Sequence, residues 1–207
     1  MLILALDTSG KVASCALCRD GEITDSAGRD SMLDHSSTLL PLCEELLARH
    51  GLRAADVDVF AAVKGPGSFT GIRIGAAAVK GLAFSLGRPC AGISSMEAAV
   101  WAWDGSGRVC SRVTARAGEY YWALFEKSGG VRRLTEDAVG GEEEIAAAMA
   151  AHGCTQVLTD GQNACGAALA AYELGRRDEL INCHELTPSY LRQSQAERMR
   201  KEKENIK

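Results

Sequence analysis

Apolar positions along the chain form short continuous runs that alternate with helical stripes, and their order predicts an α/β protein. Leu2–Leu6 is an unbroken apolar run closed by the polar cluster Asp7-Thr8-Ser9-Gly10, as expected of a buried strand ending in a turn. Val12–Cys18 reads as a second strand, and Asp20-Gly21 as the hairpin turn into a third over Glu22–Ala27. Over Asp34–His50, Leu39, Leu40, Leu42, Leu46 and Leu47 recur at helical spacing, with Gly51 as the stop. A strand over Val57–Val63 and a long helix over Phe69–Leu86 follow. Next come a strand over Cys90–Ile93 and a helix over Met96–Trp103, whose start carries the capping-box spacing Ser94 to Glu97.

The polar break Asp104-Gly105-Ser106-Gly107 divides a first unit, residues 1–103, from a second one of reduced plan, residues 104–207. In the second, Arg108–Ala115 and Glu119–Lys127 pair across Ala117-Gly118, and Val131–Glu136 reads as a third strand. Glu142–His152 reads as a helix, Val157–Thr159 as a strand, Ala164–Leu174 as a helix and Ser189–Lys203 as a charged terminal helix. A strand meander followed by helices, repeated in reduced form, is the plan of the two-lobed actin/sugar-kinase/Hsp70-like folds with their ribonuclease H-like lobes. Element order of this kind argues for a fold and not for a function.

The stretch Lys64–Gly75, KGPGSFTGIRIG, joins a strand end to a helix start through a glycine turn. Gly65 and Gly67 open backbone angles closed to other residues, Pro66 removes a donor, and Ser68 or Thr70 can cap the helix. Such a junction can hold an anion on free N–H groups or pack closely on a neighbour. It is not a Walker P-loop, because the Gly-Lys-Ser/Thr ending is missing.

Composition narrows the function classes. A net charge of −4 and a pI near 5.6 exclude an autonomous nucleic-acid binder, so any RNA contact needs a partner. The terminal segment interleaves Arg198, Arg200, Lys201 and Lys203 with Glu197, Glu202 and Glu204, which predicts weak, salt-sensitive RNA binding at most. No run is read as long enough to span a membrane, and Asp7 interrupts the opening run, so the expected location is the cytoplasm. Of the eight cysteines only Cys15 and Cys18 form a C-x-x-C pair, and strand spacing puts them on opposite faces. They and Cys43, Cys90, Cys110, Cys154, Cys165 and Cys183 read as reduced, mostly buried small hydrophobes. His35, His50, His152 and His184 have no ligand or triad partner at recognisable spacing.

Specific residues carry a family resemblance. ILALDTS at Ile3–Ser9, HSSTLLPLCEELL at His35–Leu47, GPGSFTGIRIG at Gly65–Gly75 and KGLAFSLGRP at Lys80–Pro89 follow one another in order. So do GISSMEA at Gly92–Ala98, ARAGEYYWALF at Ala115–Phe125 and PSYLRQSQAER at Pro188–Arg198. Together they resemble the TsaB (YeaZ) family, the bacterial partner subunits of the tRNA threonylcarbamoyladenosine (t6A) machinery. One departure is Thr114, where the family often carries Asp. The catalytic sister family, TsaD, places two metal-binding histidines one helical turn apart where this chain has Ser95 and Ala99. Neither side chain can replace an imidazole. The resemblance therefore implies a chain with no catalytic residues and no metal, in which Glu97 survives as a capping residue.

It also implies partners: the catalytic subunit TsaD, the ATPase subunit TsaE, a homodimer through the same helical face, and tRNA only through the complex. No cofactor is expected on the isolated chain, and ATP or ADP only at the level of the complex. The expected partner face comprises His35, Leu39, Leu42, Leu46, Gly71, Gly75, Ala78, Val79 and Leu82. The opposite stripe of the long helix, Ile72, Ala76, Lys80 and Ala83, is left for the sheet. Asp7, Thr8 and Ser9 are the candidates for a vestigial nucleotide contact. The alternatives are a small-molecule kinase or ATPase of the same fold, or a peptidase-like member of the superfamily.

Overall fold

The structure, a computed structural model, describes residues 1–30, 35–159 and 163–191. Its first sheet contains β1 (Leu2–Asp7), β2 (Val12–Arg19), β3 (Glu22–Asp30), β4 (Val59–Gly65) and β5 (Cys90–Ser94), in the order β3-β2-β1-β4-β5. The hairpin strands pair antiparallel, while β1, β4 and β5 run parallel. Strand alternation splits the apolar run of β1 between two cores. Leu2, Leu4 and Leu6 face one side, and Ile3 and Ala5 the other. Helices α1 (His35–Arg49) and α2 (Phe69–Leu86) cover the first side.

The second sheet holds β6 (Gly107–Arg116), β7 (Glu119–Lys127), β8 (Val131–Arg133), β9 (Ala138–Gly140) and β10 (Gln156–Thr159). Its order is β10-β6-β7-β8, with β9 also on β7. Helix α3 (Ser95–Ala102) joins the two sheets: Ala98 packs in the core behind the first, Met96 and Val100 against the second. Helix α4 (Glu142–His152) closes the far side of the second sheet through Ile145. Helix α5 (Ala164–Arg176) returns to the first sheet, where its alanines fill the core behind β1 and β2. Gly166 permits this, because a Cβ there would run into the Ala98 carbonyl.

Several elements differ from their expected form. The strand expected at Val57 starts two residues later, because Val57 N–H closes a 3-10 turn onto Ala54 O. The strand expected over Val131–Glu136 stops at Arg133. There Leu134 N–H bonds Leu124 O, while Leu124 N–H goes to the Thr135 hydroxyl. The Ser94–Glu97 capping box does not form: Ser94 Oγ is buried without a partner, and Glu97 lies 3.9 Å from Arg133. Ser189, Tyr190 and Leu191 are not helical, and the rest of the expected terminal helix lies outside the described residues, as does Asp34. Among the described helices Phe69–Leu86 alone is long and apolar enough to cross a membrane, contrary to the expectation; here one side of it packs on the sheet and Arg73 sits within it.

Candidate functional site

The end of β1 and the start of α2 are locked together. Ser68 caps α2, its hydroxyl accepting from Gly71 N–H at 3.2 Å, so the choice between Ser68 and Thr70 falls to Ser68. Thr8 Oγ1 donates to Gly71 O at 2.7 Å, and Ser68 N–H donates to Ser9 O at 2.6 Å. A Cβ on Gly67 or Gly71 would overlap the Ser9 or Thr8 carbonyl oxygen, and one on Gly75 would stand 2.6 Å from Thr8 Oγ1. Of the two uses open to this junction, the geometry is that of close packing.

Asp7, Thr8 and Ser9 are all buried. The Asp7 carboxylate accepts Ser9 N–H at 2.8 Å and, from the first turn of α5, Asn163 N–H at 2.7 Å. His35 reaches the same corner, with Nε2 2.9 Å from Gly10 O. These three residues therefore tie β1 to α2 and α5. Burial pushes the Asp7 carboxyl above its usual range, against the bonds from Ser9 and Asn163 and the charge of His35. A carboxyl whose folded pKa lies above its unfolded value binds more protons folded than unfolded, so its contribution falls as pH rises from about 3.9 through the folded value. The stability advantage of the wild type over Asp7→Asn should therefore shrink with rising pH across that window and then level off. Denaturant unfolding at a series of pH values reads it, and an advantage that grows with pH overturns the assignment.

The helix face requires a correction. Leu39, Leu42, Leu46, Gly71, Gly75 and Val79 are buried inside this chain, and His35, Ala78 and Leu82 are half-buried. Gly71 and Gly75 face Thr8 and cannot line a contact with another molecule, while Ile72, Ala76 and Ala83 of the opposite stripe are buried as expected. The open face of these two helices carries Leu40, Pro41 and Glu44 on α1, and Arg73, Ala77, Gly81 and Phe84 on α2. Leu40 is 43% and Phe84 69% exposed, and a Cβ on Gly81 meets nothing within 4 Å. The sequence signal for this stripe was present, since Arg73, Ala77, Gly81 and Phe84 keep helical spacing.

Ser95 Oγ donates to Pro66 O at 2.6 Å, which ties α3 to the glycine turn. Ala99 is 9% exposed. Among the described residues no three His, Cys, Asp or Glu side chains converge on a possible metal position.

The family model "TsaD: tRNA N6-adenosine threonylcarbamoyltransferase" matches residues 29–146, more than half of the chain. The tRNA threonylcarbamoyladenosine biosynthesis protein TsaB of Escherichia coli is 35% identical over 130 residues, covering 61% of this chain and 56% of that protein. The chain thus spans little more than half the length of that relative. The Bacillus subtilis protein of the same name is 28% identical over 223 residues, covering 95% of this chain and 96% of that one. The solved structure of YeaZ from Pseudomonas aeruginosa superposes with a TM-score of 0.80 at 28% identity, over 92% of this chain and 99% of that one. The two mixed sheets with their helices are thus an α/β fold of the YeaZ type. With sequence similarity and fold in agreement, the chain belongs to the TsaB/YeaZ family.

Proposed function

We propose that this chain is a non-catalytic subunit in t6A synthesis. In this reading it docks the catalytic TsaD subunit and supports transfer of threonylcarbamoyl from threonylcarbamoyl-AMP to N6 of the adenosine beside the anticodon. The observation that carries the reading is the state of the sister family's metal position: Ser95 is committed to a buried bond with Pro66, and Ala99 has no donor. Asp7, Thr8 and Ser9 support it, since bonds to α2 and α5 occupy the groups a kinase-like phosphate contact would use. The docking surface is the open face of α1 and α2 around Leu40, Ala77, Gly81 and Phe84, where small residues on α2 allow close approach of a second helix. The same face serves a homodimer, which would compete with the catalytic subunit for it. An ATPase subunit of the TsaE type and tRNA join at the level of the complex, in the cytoplasm.

Reconstitution tests this. Purified TsaD-type subunit, ATPase subunit, threonylcarbamoyl-AMP and tRNA should give modified adenosine only when this chain is added. The chain alone should transfer nothing and should retain no stoichiometric zinc or iron after dialysis against a chelator. Transfer by the chain alone, or full transfer without it, overturns the reading.

A further inference from the structure

The described part of the C-terminal segment straps α2 along its length. Ile181 pairs with Cys90 of β5, and from there the chain runs against the direction of α2. His184 meets the Phe84 ring edge-on with centroids 5.8 Å apart, and Leu186 O accepts from Lys80 Nζ at 3.2 Å. Tyr190 then packs against Phe69 with centroids 5.1 Å apart. Phe69, Arg73, Ala77, Gly81 and Phe84 share one stripe of the helix, the open face proposed above for docking. The strap therefore touches that stripe at both of its ends.

At the first end the strap holds an exposed cation in place. The Arg73 guanidinium lies 3.8 Å from the centroid of the Phe69 ring and 5.3 Å from that of Tyr190, and its Nε donates to Tyr190 Oη at 2.6 Å. The ring contacts and the bond fix the plane of the group, so little side-chain freedom remains to be lost on binding. Among the described residues its Nη groups have no hydrogen-bond partner and its charge has no carboxylate. On α1 the same open face carries Glu44, also without an ion pair among the described residues, whereas its neighbour Glu45 lies 3.2 Å from Arg29. One face thus bears a preorganised cation and a spare carboxylate on different helices, and no ion pair joins them within the chain.

We propose that Arg73 and Glu44 are the complementary charges that seat a second copy of this chain on the α1–α2 face. The proposal rests on the docking face proposed above and adds the contact that sets its register for a like partner. A two-fold interface brings one patch against itself, so Arg73 of one copy meets Glu44 of the other and the contact is made twice. A guanidinium held in one plane offers its Nη edge to both oxygens of a carboxylate. Leu40, Ala77, Gly81 and Phe84 supply the apolar area and the close approach. An RNA phosphate would fit the same guanidinium. Against it stand the Glu44 carboxylate and the apolar side chains of this face, and a net charge of −4, where phosphates need further cations.

The test is sedimentation of the full-length chain over a concentration series. Arg73→Glu and Glu44→Arg each set like charges against one another twice per dimer, so each should weaken self-association at least about 10-fold. The double variant Arg73→Glu/Glu44→Arg re-forms both pairs in reverse and should associate at least about 5-fold more tightly than either single one. Arg73→Glu also gives up the bond to Tyr190, so a thermal melt accompanies each variant. Glu44→Arg leaves the strap contacts in place and decides the matter where Arg73→Glu folds poorly. The reference is Ala77→Arg, which obstructs the face whatever its charges. If Ala77→Arg abolishes self-association and the charge variants leave it unchanged, the docking face stands and the charge pair is overturned. If Ala77→Arg has no effect, the docking face fails and the proposal with it. A wild type that stays monomeric at every concentration, or a double variant that associates no more tightly than the single ones, also overturns it. So does a gel shift in which Arg73→Glu abolishes tRNA binding while self-association is unchanged.

Discussion

Gly71→Ala should cost this protein about 3 kcal/mol or more of stability, lowering its melting temperature by roughly 6–12 °C, although alanine is the better helix former. The reason is the approach of β1 to α2. The added methyl would fall on the carbonyl oxygen of Thr8, which is backbone and cannot swing aside. Thr8 also donates its hydroxyl to Gly71 O, so moving the helix away breaks that bond as well. Both groups are buried, and an unpaired buried donor carries its own penalty of about 1–3 kcal/mol. Gly81→Ala is the control on the same helix. Nothing lies within 4 Å of its added carbon, so the change should be neutral or gain up to about 1 kcal/mol. Thermal and denaturant melts of the two variants read the difference. Equal melts would mean that the glycine stripe does not face β1.

Ala77→Arg should abolish association while leaving the fold alone. Ala77 sits on the open face of α2 between Arg73 and Gly81, so a long charged side chain there meets solvent in the free chain. In a helix–helix contact it would separate the two backbones and bury a charge without a partner. A loss of about 2.7 kcal/mol or more weakens binding at least ~100-fold, the scale of an interface hot spot. Sedimentation should show a monomer, co-purification with the catalytic subunit should fail, and the melt should stay within about 0.5 kcal/mol of wild type. Undiminished association would move the partner face away from α2. The contrast between Gly71 and Ala77, which differ in the side of one helix they occupy, separates a folding role from a docking role.

Local chemistry made much of the fold legible. Helix α2 runs over the expected Phe69–Leu86 because Ser68 caps it and Gly87 stops it in the left-handed region, at φ 63°. Glu142–His152 ends in the same way at Gly153, and the Asp20-Gly21 turn sets the first hairpin through positive φ at both residues. In each of these cases the signal and its effect lie within a few residues, and no distant contact is needed to set them. The glycine turn is also found where its residues put it, between a buried strand and a capped helix.

What the sequence could not decide is which surface meets which. A stripe of small residues spaced for a helix serves an inner contact as well as an outer one, because both demand the same period. Only the position of Thr8 turns Gly71 and Gly75 inward. Ser94 and Glu97 have capping-box spacing, yet Ser94 ends β5 in its ladder with β4 and the Glu97 carboxylate lies beside Arg133, far along the chain. Helix α5 has an ordinary apolar pattern, and its place behind the first sheet is fixed by the close fit of Gly166 against Ala98. The sequence by itself determined the family and the order and ends of most elements, through capping, turn and periodicity signals that act over one or two turns of chain. The tertiary structure decided the inner and outer faces and the locked Asp7-Thr8-Ser9 corner, because those depend on contacts between residues far apart along the chain.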